Sequence, residues 1–165
     1  MRALVIRPYS VSALARHHYQ DQNSQQTLAE GLEEYYRANE GIVARPETLS
    51  PQSATLFRSH DICHVIFGLD TTLGDETLAD TRTFLSCDVG WKKYSNYIND
   101  PLAMAVFKEL GIARAVWITL RSVPRILRAI IEAKRMAKKW PWVPPESFRS
   151  RTLADLRKEF AIRVM

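Results

Sequence analysis

Four side chains that can bind a metal ion lie within 17 consecutive positions of this chain. They are His60, Asp61, His64 and Glu76, and they spell the pattern H-D-x-x-H-(x)11-E. On an α-helix the two histidines would lie one turn apart on the same face, with Cβ atoms roughly 5–6 Å apart, and Asp61 would lie on the neighbouring line. Two imidazoles and two carboxylates suit zinc, iron or manganese, and magnesium less well. The pattern therefore predicts a site for one divalent metal ion, and we expect zinc.

The flanking residues predict two helices that would bring these ligands together. Ser50 is a typical N-cap, Pro51 suits the first helical position, and Gly68 can end the helix in a left-handed C-cap. A short connection and a second helix starting near Gly74 would return Glu76 towards the histidines. We therefore expect the metal site to lie between two helices.

The motif has two simpler interpretations. The histidines could be ordinary polar residues of a half-buried helix, but they continue an apolar stripe through Phe57 and Phe67 that should face the interior. A metalloprotease of the zincin type requires Glu directly after the first histidine as general base, and Asp61 occupies that position.

The motif and the residues around it resemble the coenzyme Q biosynthesis protein four family, whose signature is H-D-x-x-H-(x)11-E. The resemblance includes residues 60–69 and 73–76, and its C-terminal part consists of Trp142, Leu153, Leu156 and Arg157. It extends over residues 42–165, whereas the N-terminal helical segment 1–41 does not clearly match the family. The resemblance implies that His60, Asp61, His64 and Glu76 hold the metal ion.

The same resemblance implies a role in ubiquinone biosynthesis. The implied reaction is a metal-dependent oxidative decarboxylation at the first ring carbon of a polyprenylated precursor, in which a hydroxyl replaces the carboxyl group. The alternative is a non-catalytic scaffold or lipid carrier of the biosynthetic complex. The implied partners are the polyprenylated quinone precursor and other ubiquinone biosynthesis proteins, and a second copy of this chain is a further candidate. The implied location is cytoplasmic, on the inner face of the inner membrane, or on the matrix side in a mitochondrion.

A phosphohydrolase of the HD type is a competing class, because it also uses adjacent His and Asp ligands on a helix. It requires another histidine upstream and an aspartate downstream. His17 or His18 and Asp80 or Asp88 would have to fill these places, at spacings that fit poorly, and Glu76 would have no role.

Positive charge is concentrated in the C-terminal third of the chain. Residues 1–100 carry nine Lys and Arg against 13 Asp and Glu, whereas residues 101–165 carry 14 against five. Between positions 121 and 139 a basic stripe recurs at helical spacing opposite an aliphatic face, and it consists of Arg121, Arg125, Arg128, Arg135 and Lys139. A core helix with a solvated face would look the same. Anionic lipid, however, attracts each such residue by about 1 kcal/mol.

An anionic membrane surface is therefore the predicted partner of the basic stripe. Three tryptophans nearby, Trp117, Trp140 and Trp142, are of the residue type that settles at the level of lipid headgroups. The aliphatic side of residues 112–137 is expected to shelter an isoprenoid tail. Nucleic acid is not expected, because the sequence has no ribonucleoprotein motif, helix-turn-helix pattern or zinc finger.

The remaining pattern predicts an all-α, single-domain helical bundle over residues 1–165. We expect helices over residues 24–39, from Glu76 to about Asn96, from Pro101 onward, and from Thr152 to about Phe160. The content of 46% hydrophobic and 25% charged residues is typical of a globular domain. No apolar run approaches the ~20 residues that span a bilayer.

Overall fold

The computed structural model of this chain describes residues 16–90, 95 and 112–165. Five α-helices lie within these residues: α1 (Leu28–Ala38), α2 (Pro51–Phe67), α3 (Leu73–Ser86), α4 (Ile112–Arg135) and α5 (Leu153–Phe160). Single 3-10 turns at His18–Gln20, Pro46–Thr48 and Glu146–Phe148 lie in the connections. No strand occurs in this part of the chain, so the predicted all-α bundle is confirmed.

Helix α2 begins and ends where the sequence predicts. The Ser50 hydroxyl accepts a hydrogen bond from the N–H of Ser53 at 3.3 Å, and Pro51 takes the first helical position. At the other end Gly68 adopts a φ of 70°, which glycine reaches without the cost that a Cβ would add. A Cβ at this position would also lie 2.9 Å from the Cβ of Val164. Backbone conformation and packing therefore both favour glycine here.

Helix α1 begins at Leu28, later than the predicted start at residue 24. The capping box forms between Thr27 and Glu30: the Thr27 hydroxyl accepts from the Glu30 N–H at 3.2 Å, and the Glu30 carboxylate accepts from the Thr27 N–H at 2.8 Å. Asn23 and Gln26 have the residue types of a capping box for a helix starting at residue 24, but that prediction of the start was wrong. Thr27 prevails because Leu28 N–H also bonds to the carbonyl of residue 151, which anchors this start to the rest of the fold.

Helix α3 ends at Ser86, before the predicted end near Asn96. Its N-cap is Thr72, whose hydroxyl accepts from the Asp75 N–H at 3.2 Å. At its C-terminus Cys87 is extended and forms an isolated bridge with Trp140. The Trp140 N–H bonds to the Ser86 carbonyl at 2.8 Å, so tertiary pairing replaces another helical turn. The helix predicted from Pro101 begins outside the described residues.

The hydrophobic core lies between α1, α2, α3 and the C-terminal segment. Its largest apolar members are Tyr19, Tyr35, Phe67, Leu78, Trp140, Trp142, Leu153 and Phe160. Trp140 and Trp142 are 0% and 2% exposed, so the prediction that they settle among lipid headgroups was wrong. They lie on a segment that follows α4. The Trp140 ring contacts the Phe160 ring of α5 at a centroid distance of 5.0 Å, and the Trp142 backbone N–H donates to the Asp88 carboxylate just after α3.

Arg157 on α5 forms hydrogen bonds to the C-terminal end of α2. Its buried guanidinium donates to the carbonyls of Ile66 at 2.9 Å and Val65 at 2.8 Å, in the last turn of α2. It also donates to the carbonyls of Tyr19 and Asp21. The final carbonyls of a helix lack partners within the helix, and the basic side chain complements the negative end of the helix dipole.

Candidate metal centre

Helices α2 and α3 bring three of the four predicted ligands together. One ligand atom from each of His60, His64 and Glu76 lies within 4.8 Å of those of the other two. The imidazole rings are nearly perpendicular, at 75°, with centroids 4.7 Å apart. Both histidines are buried, whereas the Glu76 side chain is 39% exposed, so solvent reaches the group from the carboxylate side. No second group of three such ligands occurs in residues 16–90, 95 and 112–165.

The orientation of His64 is fixed by a hydrogen bond on the far side of its ring. Its Nδ1 lies 3.0 Å from the carbonyl oxygen of Asp70, in the connection between α2 and α3. A neutral His64 donates its Nδ1–H there, so its Nε2 carries the lone pair, 3.5 Å from Glu76 Oε2. The Tyr35 ring stacks on the imidazole at a centroid distance of 5.3 Å. Ligand histidines in metalloproteins are commonly oriented by such a second hydrogen bond.

Asp61 lies beside this group rather than in it. It is 3% exposed, and its Oδ2 accepts a hydrogen bond from the Tyr36 hydroxyl at 2.9 Å. Burial raises the pKa of Asp61 to about 6, although the neighbouring His60 and His64 act in the opposite direction. Its role as a metal ligand stays a prediction.

Asp80, which the sequence offers as a metal ligand only in the phosphohydrolase interpretation, lies beside this group. It lies one helical turn after Glu76 on α3, and its Oδ1 is 3.6 Å from His60 Nε2. This oxygen is buried and accepts no hydrogen bond in the described part of the chain, while the side chain as a whole is 29% exposed. The spacing of four residues from Glu76 to Asp80 is the signal that could have indicated it.

Charges around the two imidazoles favour cations. Burial lowers the pKa of His60, but Asp80, Glu76 and Asp61 outweigh it and raise this pKa to about 9. The same balance of burial against Glu76 raises the pKa of His64. Burial raises the pKa of Glu76, yet the two histidines bring it below its usual range. A proton on His60 thus balances the carboxylates beside it at neutral pH, and a divalent ion would have to displace that proton.

Comparison of the chain with protein-family models, with curated proteins and with solved structures gives no match.

The phosphohydrolase interpretation gains no upstream ligand from the described residues. His17 lies 3.9 Å from Glu34, at the start of the bundle, and its ring stacks on Tyr19. Neither His17 nor His18 belongs to the group formed by the two α2 histidines and Glu76.

The predicted basic residues divide into three environments. Arg121 and Arg128 are exposed on α4, and Arg135 is exposed at its end beside Glu132. Arg125 differs, because its guanidinium lies 2.6 Å from the Asp75 carboxylate on α3. Lys139 is exposed but lies beyond the last residue of α4, so it does not continue the helical stripe as predicted.

Helix α4 also exposes much of its aliphatic face. Ile118 and Ala129 are buried, whereas six large apolar side chains are 40–61% exposed: Val116, Trp117, Leu120, Val123, Leu127 and Ile131. The aliphatic face therefore does not pack wholly into the bundle. None of the helices in the described ranges is both long and apolar enough to cross a membrane.

A groove of about 290 Å³ lies between α1, α2 and residues 143–149. Leu28, Leu32 and Ile62 supply apolar lining, and Arg58 and Arg149 supply charge. The groove contains none of the grouped ligands, so it is not the metal centre.

Proposed function

We propose that this chain acts in ubiquinone biosynthesis, with a divalent ion held by His60, His64 and Glu76. The metal site is supported mainly by the orientation of His64. Its Nδ1 faces a backbone carbonyl, and its Nε2 faces Glu76. An imidazole held in this tautomer is prepared to bind a metal. The resemblance of the surrounding motif supplies the substrate class, a polyprenylated aromatic acid.

A divalent ion at this place would bind and polarise a substrate oxygen, such as that of a ring carboxylate. The protein residues would hold the ion and determine the side from which the substrate approaches it. The two imidazoles are buried, and the half-exposed Glu76 lies on the open side, so a carboxylate could approach from solvent without displacing the histidines.

The proposed reaction replaces a ring carboxyl group with a hydroxyl. The bond between the ring and the carboxyl carbon breaks, and carbon dioxide leaves. One oxygen atom of dioxygen enters the ring, and two electrons and two protons from an external donor convert the other oxygen atom to water. The reaction therefore needs dioxygen and a two-electron reductant as co-substrates.

Release of labelled carbon dioxide tests this proposal. Purified protein, loaded with metal, is given a polyprenylated precursor carrying ¹³C in its carboxyl group, together with dioxygen and a reductant. Release should be lost in Glu76→Gln and retained in Glu146→Gln, because Glu146 is an exposed residue outside the site. Restoration of ubiquinone in a host lacking its own family member should show the same dependence.

Two other outcomes would assign the site differently. Metal-dependent binding of the precursor without release of carbon dioxide would contradict the enzyme and favour the carrier or scaffold. Phosphate release from nucleotides, lost in Glu76→Gln, would favour the phosphohydrolase.

We also propose that α4 docks on an anionic membrane surface. The proposal rests on the exposed apolar side chains of α4 and on the arginines beside them, Arg121, Arg128 and Arg135. An amphipathic helix with exposed aliphatic and aromatic residues and flanking basic residues lies in the plane of a membrane interface. The exposed apolar face alone would also suit a neutral membrane or another protein. The positive charge of this helix favours a membrane with acidic lipid.

Vesicle flotation tests the docking surface. Binding to vesicles with phosphatidylglycerol should exceed binding to phosphatidylcholine alone, and it should fall with salt because exposed charges act over only about 8 Å at physiological ionic strength. Changing Arg121, Arg128 and Arg135 together to Gln should weaken binding by about 100-fold at low salt, at roughly 1 kcal/mol for each charge.

A matched control removes the same charge elsewhere. Three arginines outside α4 are each paired with a glutamate: Arg45 and Arg149, which are exposed, and Arg58, which is partly exposed. Their triple Gln variant should still bind vesicles. Equal loss in both triple variants would refute a specific surface. Loss of dimer in a Leu120→Ser, Leu127→Ser variant without change in flotation would assign the face to a second copy of the chain.

A further inference from the structure

The two helices of the metal centre form two matched histidine and carboxylate pairs. His60 and His64 are four residues apart on α2, and Glu76 and Asp80 are four residues apart on α3. His64 Nε2 lies 3.5 Å from Glu76 Oε2, and His60 Nε2 lies 3.6 Å from Asp80 Oδ1. The two helices run in opposite directions. One turn back along α2 from His64 and one turn forward along α3 from Glu76 therefore gives the second pair, His60 and Asp80.

These separations are too long for direct hydrogen bonds and are suitable for a shared ion. An N–H···O hydrogen bond is typically 2.7–3.2 Å long. Neighbouring ligand atoms in a tetrahedral shell with bonds of about 2.1 Å lie about 3.4 Å apart, which is close to both observed distances. Asp80 lies outside the group of three whose ligand atoms are all within 4.8 Å of one another, so its carboxylate would have to move towards that group when an ion binds. Asp80 Oδ1 is buried and accepts no hydrogen bond among the described residues, which would cost free energy in the absence of a cation.

We propose that Asp80 is a ligand of the metal centre and, with Glu76, supplies the carboxylate side of the shell. This inference rests on the proposed metal-binding function and extends the site beyond the H-D-x-x-H-(x)11-E motif. Two neutral imidazoles and two carboxylates carry a total charge of −2, which a divalent cation neutralises. The two partly exposed carboxylate side chains also leave a path for the ion from solvent, which the buried histidines do not offer.

Cobalt binding measures the role of Asp80 without any enzymatic assay. The wild-type protein and the Asp80→Asn variant are titrated with Co²⁺ and followed by visible absorption. Loss of a ligand should raise the Kd for Co²⁺ by at least about tenfold and change the absorption spectrum, since even residues outside the ligand shell cost 10–100-fold. Asp155→Asn removes the same charge from an exposed position on α5 and should leave the Kd and the spectrum unchanged.

A cysteine variant gives a signal that does not depend on loss of binding. In Asp80→Cys a thiolate takes the place of the carboxylate, so the Co²⁺ protein should gain a near-ultraviolet charge-transfer band that the wild type lacks. Thr81→Cys places the thiol on the next residue of α3, which faces another direction, and should give no new band. If Asp80→Asn fails to fold, this pair of variants decides the question.

Two failures are distinguishable. If the wild type binds Co²⁺, Asp80→Asn binds it equally well and Asp80→Cys shows no new band, Asp80 is not a ligand and the metal centre of His60, His64 and Glu76 stands without it. If the wild type itself binds no Co²⁺ or Zn²⁺, the proposed function fails and the inference about Asp80 fails with it.

Discussion

Replacement of Arg157 by Met should destabilise the fold strongly, although Arg157 makes no ion pair with a carboxylate in the described residues. The side chain is 1% exposed and donates to four backbone carbonyls. Methionine has a similar apolar stem and no donor. The variant therefore removes one donor from each of four carbonyls, two of them in the last turn of α2 next to His64. The carbonyls of Val65 and Asp21 keep the N–H groups of Gly68 and Ser24 as donors.

The size of the effect follows from these contacts. Hydrogen bonds to a charged group contribute roughly 1.5–3 kcal/mol each, so four of them set an upper limit of about 6–12 kcal/mol. Burial of the guanidinium opposes this gain, and it lowers the pKa of Arg157 to about 10. The contributions of one side chain are also not additive, so we expect a net loss of about 4 kcal/mol, at the upper end of what single substitutions cost.

Urea denaturation followed by far-ultraviolet circular dichroism measures this loss. With a slope of about 2 kcal/mol per molar urea, the midpoint should fall by about 2 M. Arg151→Met is the matched control: its guanidinium pairs with Glu159 at 2.6 Å near the surface, and such a pair contributes about 1 kcal/mol or less. Equal midpoints for the Arg157 and Arg151 variants would refute the role given to Arg157.

Three further predictions concern the ends of the helices and the response to acid. Gly68→Ala should lower the free energy of unfolding by about 2 kcal/mol, because alanine must adopt the left-handed conformation and approach Val164; an unchanged urea midpoint would contradict this. Thr72→Ala removes the hydroxyl that caps α3 and should cost about 1 kcal/mol, whereas Thr72→Ser should cost less in the same titration. Burial raises the pKa of Glu34, but three hydrogen bonds bring it below its usual range. The carboxylate thus stabilises the fold above its unfolded pKa and loses this effect as the pH falls through its folded pKa. Between about pH 5 and pH 3 the wild type should lose more stability than Glu34→Gln, and parallel pH profiles would count against this.

The sequence was sufficient for α2 because the signals at its ends are local. Ser50, Pro51 and Gly68 each act through a dihedral angle or a hydrogen bond within a few residues. The ends of α1 and α3 could not be predicted in this way. At Leu28 and Cys87 the backbone pairs with the segments around residues 151 and 140, and nothing in the local sequence indicates that pairing.

The metal centre was predictable only in part for the same reason. The spacing of His60 and His64 on one helix is a local property, and the short connection limits where Glu76 can lie. The approach of Asp80 to His60 depends on how α2 and α3 are aligned along their lengths, which the motif does not specify. Trp140 and Trp142 show the opposite error, because their residue type suggested a membrane interface while long-range packing buried them.

The metal content of the purified protein tests the central claim most directly. Elemental analysis should find about one divalent ion per chain in the wild type. Glu76→Gln should have lost it while retaining the helical circular dichroism spectrum, because the Glu76 side chain lies on the solvent side of the group. His64→Ala should also have lost it, with some loss of stability, because His64 is buried and stacks on Tyr35. A wild type with no divalent ion after purification and reloading, or a His60→Ala, His64→Ala double variant with the same metal content as the wild type, would contradict the account.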